Sequence, residues 1–275
     1  MAFSVNTNPG ALIALQNLNA TANQLQQTQQ EISTGLHVAT AKDNGAVWAI
    51  AQNERSEVLA LDAVKQSLQR GQSVADVASS AGSTVSDLLN QLKATALSAS
   101  DTSLDPTSRS ALNTQFQALL GQITSTINNA AFNGANLLDG SLKNVQLLAN
   151  SAGTATITIG AQTLVLGKNI ITVAATTTIG TATLASAALV KVNASIINTN
   201  NALAALGTAS KALDTHLTFV DNLQDTLTTG VGNLVNADLA RASATLQALQ
   251  TKQQLGVQAL SIANSATSAL LTLFR

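Results

Sequence analysis

Counted from Met1, the first ionisable side chain is Glu31. The stretch GALIALQNLNATANQLQQTQQ (residues 10–30) nevertheless places Ala11, Leu15, Leu18, Ala22, Leu25, Gln29, Ile32 and Leu36 at alternating steps of four and three. That is the spacing of a coiled-coil seam. The other end mirrors it. From Val235, the residues Leu239, Ala242, Leu246, Leu249, Gln253, Gly256, Leu260, Ala263, Thr267, Leu270 and Phe274 step by three and four, and no side chain between Lys252 and Arg275 carries charge. Surface helices normally turn charge towards water. A chain with apolar teeth at both ends and nothing ionised beside them is constrained to bury those ends.

Composition sharpens the point. Apolar residues make up 45% of the chain and charged residues 10%, against about 25% charged in ordinary globular proteins. The net charge is −1. A weakly charged surface of this kind favours association, and the lack of basic excess argues against nucleic acid as a partner. Cysteine is absent, which excludes disulfides, thiolate metal sites and cysteine nucleophiles. No apolar run approaches the roughly 18–20 residues of a membrane span, so membrane insertion is not expected. MAFSVNTNPG lacks the basic and apolar regions of a secretory signal. The chain is therefore expected to stay in the cytoplasm or to leave by a route that needs no cleaved signal.

The pattern between the ends predicts a mainly α protein with one short exception. Helical spacing runs from about Val5 to Leu36 and breaks at Gly35, then resumes near Asp43 through Val58, Leu61, Val64, Leu68, Ala75, Ala78, Val85, Leu89, Leu92, Ala96 and Ala99. SLDPTSR interrupts it, with Ser103 or Asp105 as cap and Pro106 suited to the next first turn. A third helix uses Leu112, Phe116, Leu119, Leu120, Ile123 and Ile127 and stops at the loop NNAAFNGANLLDG. Over about 144–180 the period changes to two, and TATITIGAQTLVLGKN predicts a β-hairpin turning at Gly160-Ala161. Helical spacing returns near Ala182 and is interrupted by Gly230 and Gly232.

The far faces of the terminal helices carry Asn17, Asn19, Gln24, Gln26 and Gln27, and later Gln254, Gln258, Asn264 and Ser265. Neutral amides and hydroxyls can bond laterally at far lower desolvation cost than charges. The reading is of termini that are loose in the single molecule and become ordered when copies pack side by side.

Three blocks carry a resemblance to a known family. NTNPGALIALQNLNATANQLQQTQQEISTGLHVATAKDNGAVWAI (6–50), FNGANLLDG (132–140) and NADLARASATLQALQTKQQLGVQALSIANSATSALLTLFR (236–275) resemble, in that order, the amino-terminal, loop and carboxy-terminal signatures of bacterial flagellin. The resemblance implies long antiparallel helices in coiled-coil or bundle packing with a small β-hairpin region near mid-chain. It implies segments 1–40 and 236–275 forming the filament core, disordered in the monomer, around a helical rod domain (41–235) with its hairpin at about 144–180. It also implies a structural subunit of the hollow extracellular filament used for motility, exported unfolded by a type III apparatus. The partners implied are other copies of the chain, a chaperone, the export apparatus, the filament cap and hook-junction proteins. Only about 40–50 residues separate the helical halves, so the filament is expected to be built without large outer domains. A hook–filament junction protein is the alternative of the same class, and a membrane-active translocator a more distant one. Where the family often has Arg after STGL, this chain has His37, which weakens the expectation of an ion pair there.

The residues implied for self-assembly are Leu15, Leu18, Leu25, Ile32, Leu36, Leu239, Leu246, Leu249, Leu260, Ala263, Leu270 and Phe274. Trp48, Leu89, Leu92, Phe116 and Phe132 are expected to pack the rod domain. His37 and His216, the two histidines, lack converging ligands and take ordinary polar roles. Asp43 is open between a helix cap and an intersubunit ion pair. GAQTLVLGKN lacks the glycine spacing and Lys-Ser/Thr ending of a phosphate loop. No constellation supports catalysis, and no cofactor or metal is expected.

Overall fold

The structure, a computed structural model, describes the backbone of residues 7–273 and the side chains of residues 7–265. The first helix, α1 (Pro9–Thr34), starts where Asn8 caps it: its side-chain oxygen accepts from the Ala11 backbone N–H at 3.1 Å, and Pro9 supplies a pre-set φ. It ends as the sequence predicts. Gly35 adopts the left-handed conformation (φ 70°), and its N–H bonds the Glu31 carbonyl at 2.9 Å. The predicted start at Val5 lies outside the described residues.

Helix α2 (Gly45–Ala99) follows, capped by Asn44, whose Oδ1 accepts from Val47 N–H. Asp43 does not cap α2. Its Oδ2 accepts from the backbone N–H of Ala39 and Thr40 and from the Thr40 hydroxyl, closing the turn between the helices. The Thr40 N–H holds the Asp43 carboxyl below the usual carboxylate range. Helix α3 (Pro106–Asn128) begins at the expected Pro106, and of the two cap candidates Asp105 is the one used: its Oδ1 accepts from Thr107 and Ser108 N–H.

The loop after α3 is more ordered than its Asn and Gly content suggests. Strands β1 (Ala131–Phe132) and β2 (Ala135–Asn136) form a minimal hairpin whose tight turn is Asn133-Gly134, both at positive φ (50° and 79°). Asn136, 2% exposed, donates to the Ile127 carbonyl at the end of α3 and accepts from Leu138 N–H. A buried amide thus ties the loop to the helix it leaves.

A second hairpin pairs β3 (Asn144–Leu148) with β4 (Thr156–Gly160), and here the turn differs from expectation. Gly160 pairs with Asn144 at the open end, and the reversal lies at 149–155, where Asn150 accepts from Thr154 and Ala155 N–H and Gly153 sits at φ 69°. TLVL does not return as a strand because it has a better partner. Leu164 N–H bonds the Leu138 carbonyl at 2.8 Å, and its side chain is 1% exposed. Irregular backbone continues to helix α4 (Ala182–Val235).

Gly230 and Gly232 do not interrupt α4. The helix runs through both, and Asn236 N–H still bonds the Gly232 carbonyl. Two interior glycines cost about 1 kcal/mol each, which the burial of Val231 and Val235 offsets. Helix α5 (Leu239–Leu273) is the last described element, opened by Asp238, which accepts from Ala240 and Arg241 N–H.

The chain divides into two compact units, Met1–Ser56 with Thr226–Arg275, and Glu57–Asp225. In the second, α2 and α4 run antiparallel. Asp62 meets Gln224, Lys65 meets Asp221 at 2.6 Å, Gln72 meets Ser210 and Ser86 meets Asn200 at 3.2 Å, one number rising as the other falls. Leu89, Leu92 and Phe116 are fully buried there, with Ile123, Leu137 and Ile159. Gly71 of α2 is a notch: a Cβ built on it would overlap the Leu147 side chain of β3. Leu148 N–H bonds Ser67, and His216 Nε2 donates to the Ala149 carbonyl at 2.8 Å, so the hairpin is fastened to both long helices.

Candidate assembly surface

In the first unit α1 packs against α5. The pairing is antiparallel. Asn8 Nδ2 donates to the Ala263 carbonyl at 2.7 Å, a Cβ on Gly256 would stand 3.2 Å from Leu18, and Thr28 and Glu31 share a crevice with Arg241 and Thr245. At the shared end, Leu36 and Asn236 form a β-bridge, and His37 N–H bonds the Val235 carbonyl at 2.7 Å. Beneath it Val38, Ala51, Val231 and Val235 form a small core against which Leu36, Val47 and the half-buried Trp48 pack.

The α5 side of the seam has the phase read from spacing: Ala242, Leu246, Leu249, Gln253, Gly256, Leu260 and Ala263 face inward. The α1 side does not. Its inward row is Ala11, Ala14, Leu18, Thr21, Leu25, Thr28 and Ile32, so the alternate positions are 14, 21 and 28 and not 15, 22 and 29. Both phases share Leu18, Leu25 and Ile32, and spacing alone favours the one containing Leu15. The structure chooses smaller side chains because the helices approach closely, as the Gly256–Leu18 contact requires. Thr21 and Thr28, 3% and 7% exposed, return their hydroxyls to the carbonyls of Asn17 and Gln24.

The consequence lies on the other side. Leu12, Ile13 and Leu15 of α1 are 63%, 60% and 44% exposed. Leu239, Leu255, Val257 and Ile262 of α5 are likewise exposed, the last at 64%. The seam is filled with alanine, threonine, glycine and glutamine at half its places, while large aliphatic side chains point to solvent. Sequence reasoning missed Leu12, Ile13, Leu255, Val257 and Ile262 because it scored a single stripe per helix; a count of apolar residues off the stripe is the signal that finds them. Phe132 is 37% exposed. The Leu270 side chain and Phe274 lie outside the described residues.

Replacing Thr21 and Thr28 with valine exchanges two buried hydroxyls for methyls without changing shape. At roughly 0.8 kcal/mol per buried methyl, the double variant is expected to slow proteolysis of the α1–α5 pair in the monomer about tenfold. Timed digestion at low concentration, followed by intact mass, measures it.

Polar chemistry is sparse. A crevice of about 450 Å³ is lined by Glu31, His37, Asp238 and Arg241 among others, and His37 Nδ1 lies 3.2 Å from Glu31 Oε1. An acidic partner therefore exists at the place where the sequence weakened that expectation. Among the described residues, no group of three His, Cys, Asp or Glu could hold a metal ion, and no helix is long and apolar enough to cross a membrane.

Two family models match the chain: the bacterial flagellin N-terminal helical region over residues 5–143 and the bacterial flagellin C-terminal helical region over residues 189–274. Flagellin FljO of Caulobacter vibrioides is 53% identical over 272 residues, spanning 99% of this chain and 98% of the relative. Flagellin FljM of the same organism is 54% identical over the same span, and a Brucella melitensis flagellin is 36% identical over 99% of both chains. A crystal structure of Bacillus cereus flagellin is similar at a TM-score of 0.50 and 20% identity, covering 56% of this chain and 88% of that one, which speaks to fold alone. By these sequence matches, the chain belongs to the bacterial flagellin family.

Proposed function

We propose that the chain is a structural subunit that polymerises with itself into the extracellular filament of a bacterial flagellum and thereby serves motility. It is not an enzyme. The observation that carries the reading is the distribution just described: the intramolecular seam is small or polar at eight of its fourteen places, and the exposed faces of the same two helices hold Leu12, Ile13, Leu15, Leu255, Val257 and Ile262. An isolated molecule leaves those faces wet, whereas neighbouring copies cover them. The absence of charge from residues 9–30 then has a cause, because no ion needs a partner when the helix becomes interior.

Several finer assignments rest on the family. Segments 1–40 and 236–275 are the filament-core portion, loose in the monomer and fixed by neighbours, with 41–235 as the rod. Leu18, Leu25, Ile32, Leu246, Leu249 and Leu260 hold the terminal pair, and Leu15 and Leu239 meet other copies. Export in an unfolded state, delivery by a chaperone and contacts with the cap and hook junction complete the reading.

Electron microscopy of the purified chain after salt-induced polymerisation tests the function. Hollow helical filaments are expected. A chain that remains monomeric under every polymerising condition overturns it.

A further inference from the structure

The sequence contains two Asn-Gly pairs, Asn44-Gly45 and Asn133-Gly134. Glycine leaves the nitrogen that follows an asparagine unshielded, and a Cβ built on either glycine would meet nothing within 4 Å. Steric access therefore does not distinguish the pairs. Their tethers do. Asn44 caps α2: its Oδ1 accepts from Val47 N–H at 3.1 Å, and its backbone carbonyl accepts from Trp48 N–H at 2.9 Å. Val47 and Trp48 in turn pack on the core of Val38, Ala51, Val231 and Val235. Turning the Asn44 side chain towards the Gly45 nitrogen would break the cap and unwind a turn that is held from below. Asn133 has neither restraint. It sits exposed at the tip of the β1–β2 hairpin, the one non-glycine residue at positive φ among the described residues. Among those residues, no hydrogen bond reaches its side chain or the Gly134 N–H. The hairpin beneath it is two residue pairs long, and a ladder this short opens locally at little cost.

We propose that Asn133 is a site of self-modification, at which the folded chain converts its own asparagine to isoaspartate or aspartate with water as the only co-reactant. The Gly134 backbone nitrogen attacks Cγ of Asn133. An N–C bond forms, the Cγ–Nδ2 bond breaks, and ammonia departs carrying the proton that the attacking nitrogen gives up. A five-membered succinimide is left. Water then adds to one of its two ring carbonyls and reopens it, as aspartate or as isoaspartate according to the carbonyl attacked. Nothing is oxidised or reduced. The sum is one water consumed, one ammonia released and one negative charge added to a chain of net charge −1. The two products differ in consequence. Aspartate keeps the turn, since Asp-Gly suits the same two positive-φ places as Asn-Gly. Isoaspartate routes the main chain through Cβ and lengthens the tip by one carbon. A two-residue turn has no room for that carbon, because loop length fixes the pairing on either side. The Phe132–Ala135 pair is lost, while Asn136 keeps its bond to the Ile127 carbonyl at the base of the loop. Conversion thus leaves a permanent local mark on a molecule that is otherwise folded. The reaction needs only the Glu57–Asp225 unit of a single chain, so it stands apart from the filament reading.

Trypsin places the two pairs in separate peptides, 43–55 and 110–143, because Lys42, Arg55, Arg109 and Lys143 bound them. The full-length chain is incubated in warm, mildly alkaline buffer, both folded and in strong denaturant. Each peptide is followed for the mass gain of an amide becoming an acid, and fragmentation locates the gain. In denaturant the two sites are expected to convert at similar rates. In the folded chain Asn133 is expected to convert at least about tenfold faster than Asn44, the factor contributed by the cap and its first turn. Isomerisation of Asp139, which also precedes a glycine, changes no mass and does not interfere. Asn133→Gln, whose longer side chain would have to close a larger ring, is expected to abolish the gain in peptide 110–143. Its far-ultraviolet circular dichroism is expected to match the parent's, since the residue is exposed. Folded-chain rates that are equal at the two sites, or faster at Asn44, overturn the proposal. So does a folded Asn133 that shows no gain over the time in which the denatured chain converts fully. A gain in peptide 110–143 that persists in Asn133→Gln also overturns it, by placing the reaction at another asparagine.

Discussion

Removing residues 240–275 leaves a soluble, largely helical monomer that forms no filaments at concentrations about tenfold above the intact chain's threshold, and removing residues 1–36 does the same. The expectation follows from where each helix finds its partners. Leu18, Leu25 and Ile32 lie on the half-buried face of α1, the helix that packs against α5, and Gly256 accepts Leu18 at close range. Without α5 the α1 seam is exposed together with Leu12, Ile13 and Leu15, and a lone helix of 26 residues without salt bridges or tertiary cover is marginal in water. The Glu57–Asp225 unit is compact in itself, with a core that includes Leu89, Leu92, Phe116, Ile123 and Ile159. Its melting transition is therefore expected within a few degrees of the intact chain's. Pelleting at high salt with negative-stain microscopy reads the first outcome, and thermal melting by far-ultraviolet circular dichroism reads the second. Normal filaments from either truncated chain would show that the ends have been misassigned.

Periodicity made the helices legible because long, regular stripes leave few alternatives. The α5 seam could be read from Ala242 to Ala263, Gly35 announced the end of α1, and Asp105 was one of two cap candidates before α3. What escaped the sequence were choices decided by a competing partner far along the chain. TLVL has the composition of a strand, yet Leu164 is drawn to the backbone of Leu138, so the hairpin closes one strand earlier. The phase of α1 depended on how closely α5 approaches, which no local pattern encodes. Asn133-Gly134 carries a recognisable two-residue turn signal, but the strands beside it are two residues long, too short for an alternating pattern to mark them. The exposed faces were legible in composition but not in position. The missing charge pointed to helices that are covered, and only the structure shows which large apolar side chains are exposed on them.

Arg109 is the residue whose loss is expected to cost the Glu57–Asp225 unit most, and nothing in its sequence neighbourhood marks it. It follows the corner at which α2 ends and α3 begins, and it is 7% exposed. Its Nη1 donates to the Ala99 carbonyl at 2.6 Å, and its Nη2 to the carbonyls of Asp101 and Leu104 at 2.9 and 3.0 Å. The last carbonyls of a helix have no partners within it and carry the negative end of its dipole. One planar guanidinium satisfies three acceptors at this corner, a geometry that a lysine ammonium on a flexible stem does not reproduce. Arg109→Ala strands those acceptors and empties the space of the stem. With buried bonds to a charged group worth about 1.5–3 kcal/mol each and water able to replace some of them, a loss of about 3 kcal/mol is expected. For a unit of this size that corresponds to a melting temperature lower by about 6–12 °C. Arg109→Met, which keeps the packing and removes the charge, should lose most of the same amount, and Arg109→Lys should recover only part of it. Thermal melts of the three variants separate these contributions, and an Arg109→Ala chain melting within a degree of the parent would mean that solvent serves the three carbonyls as well as the arginine does.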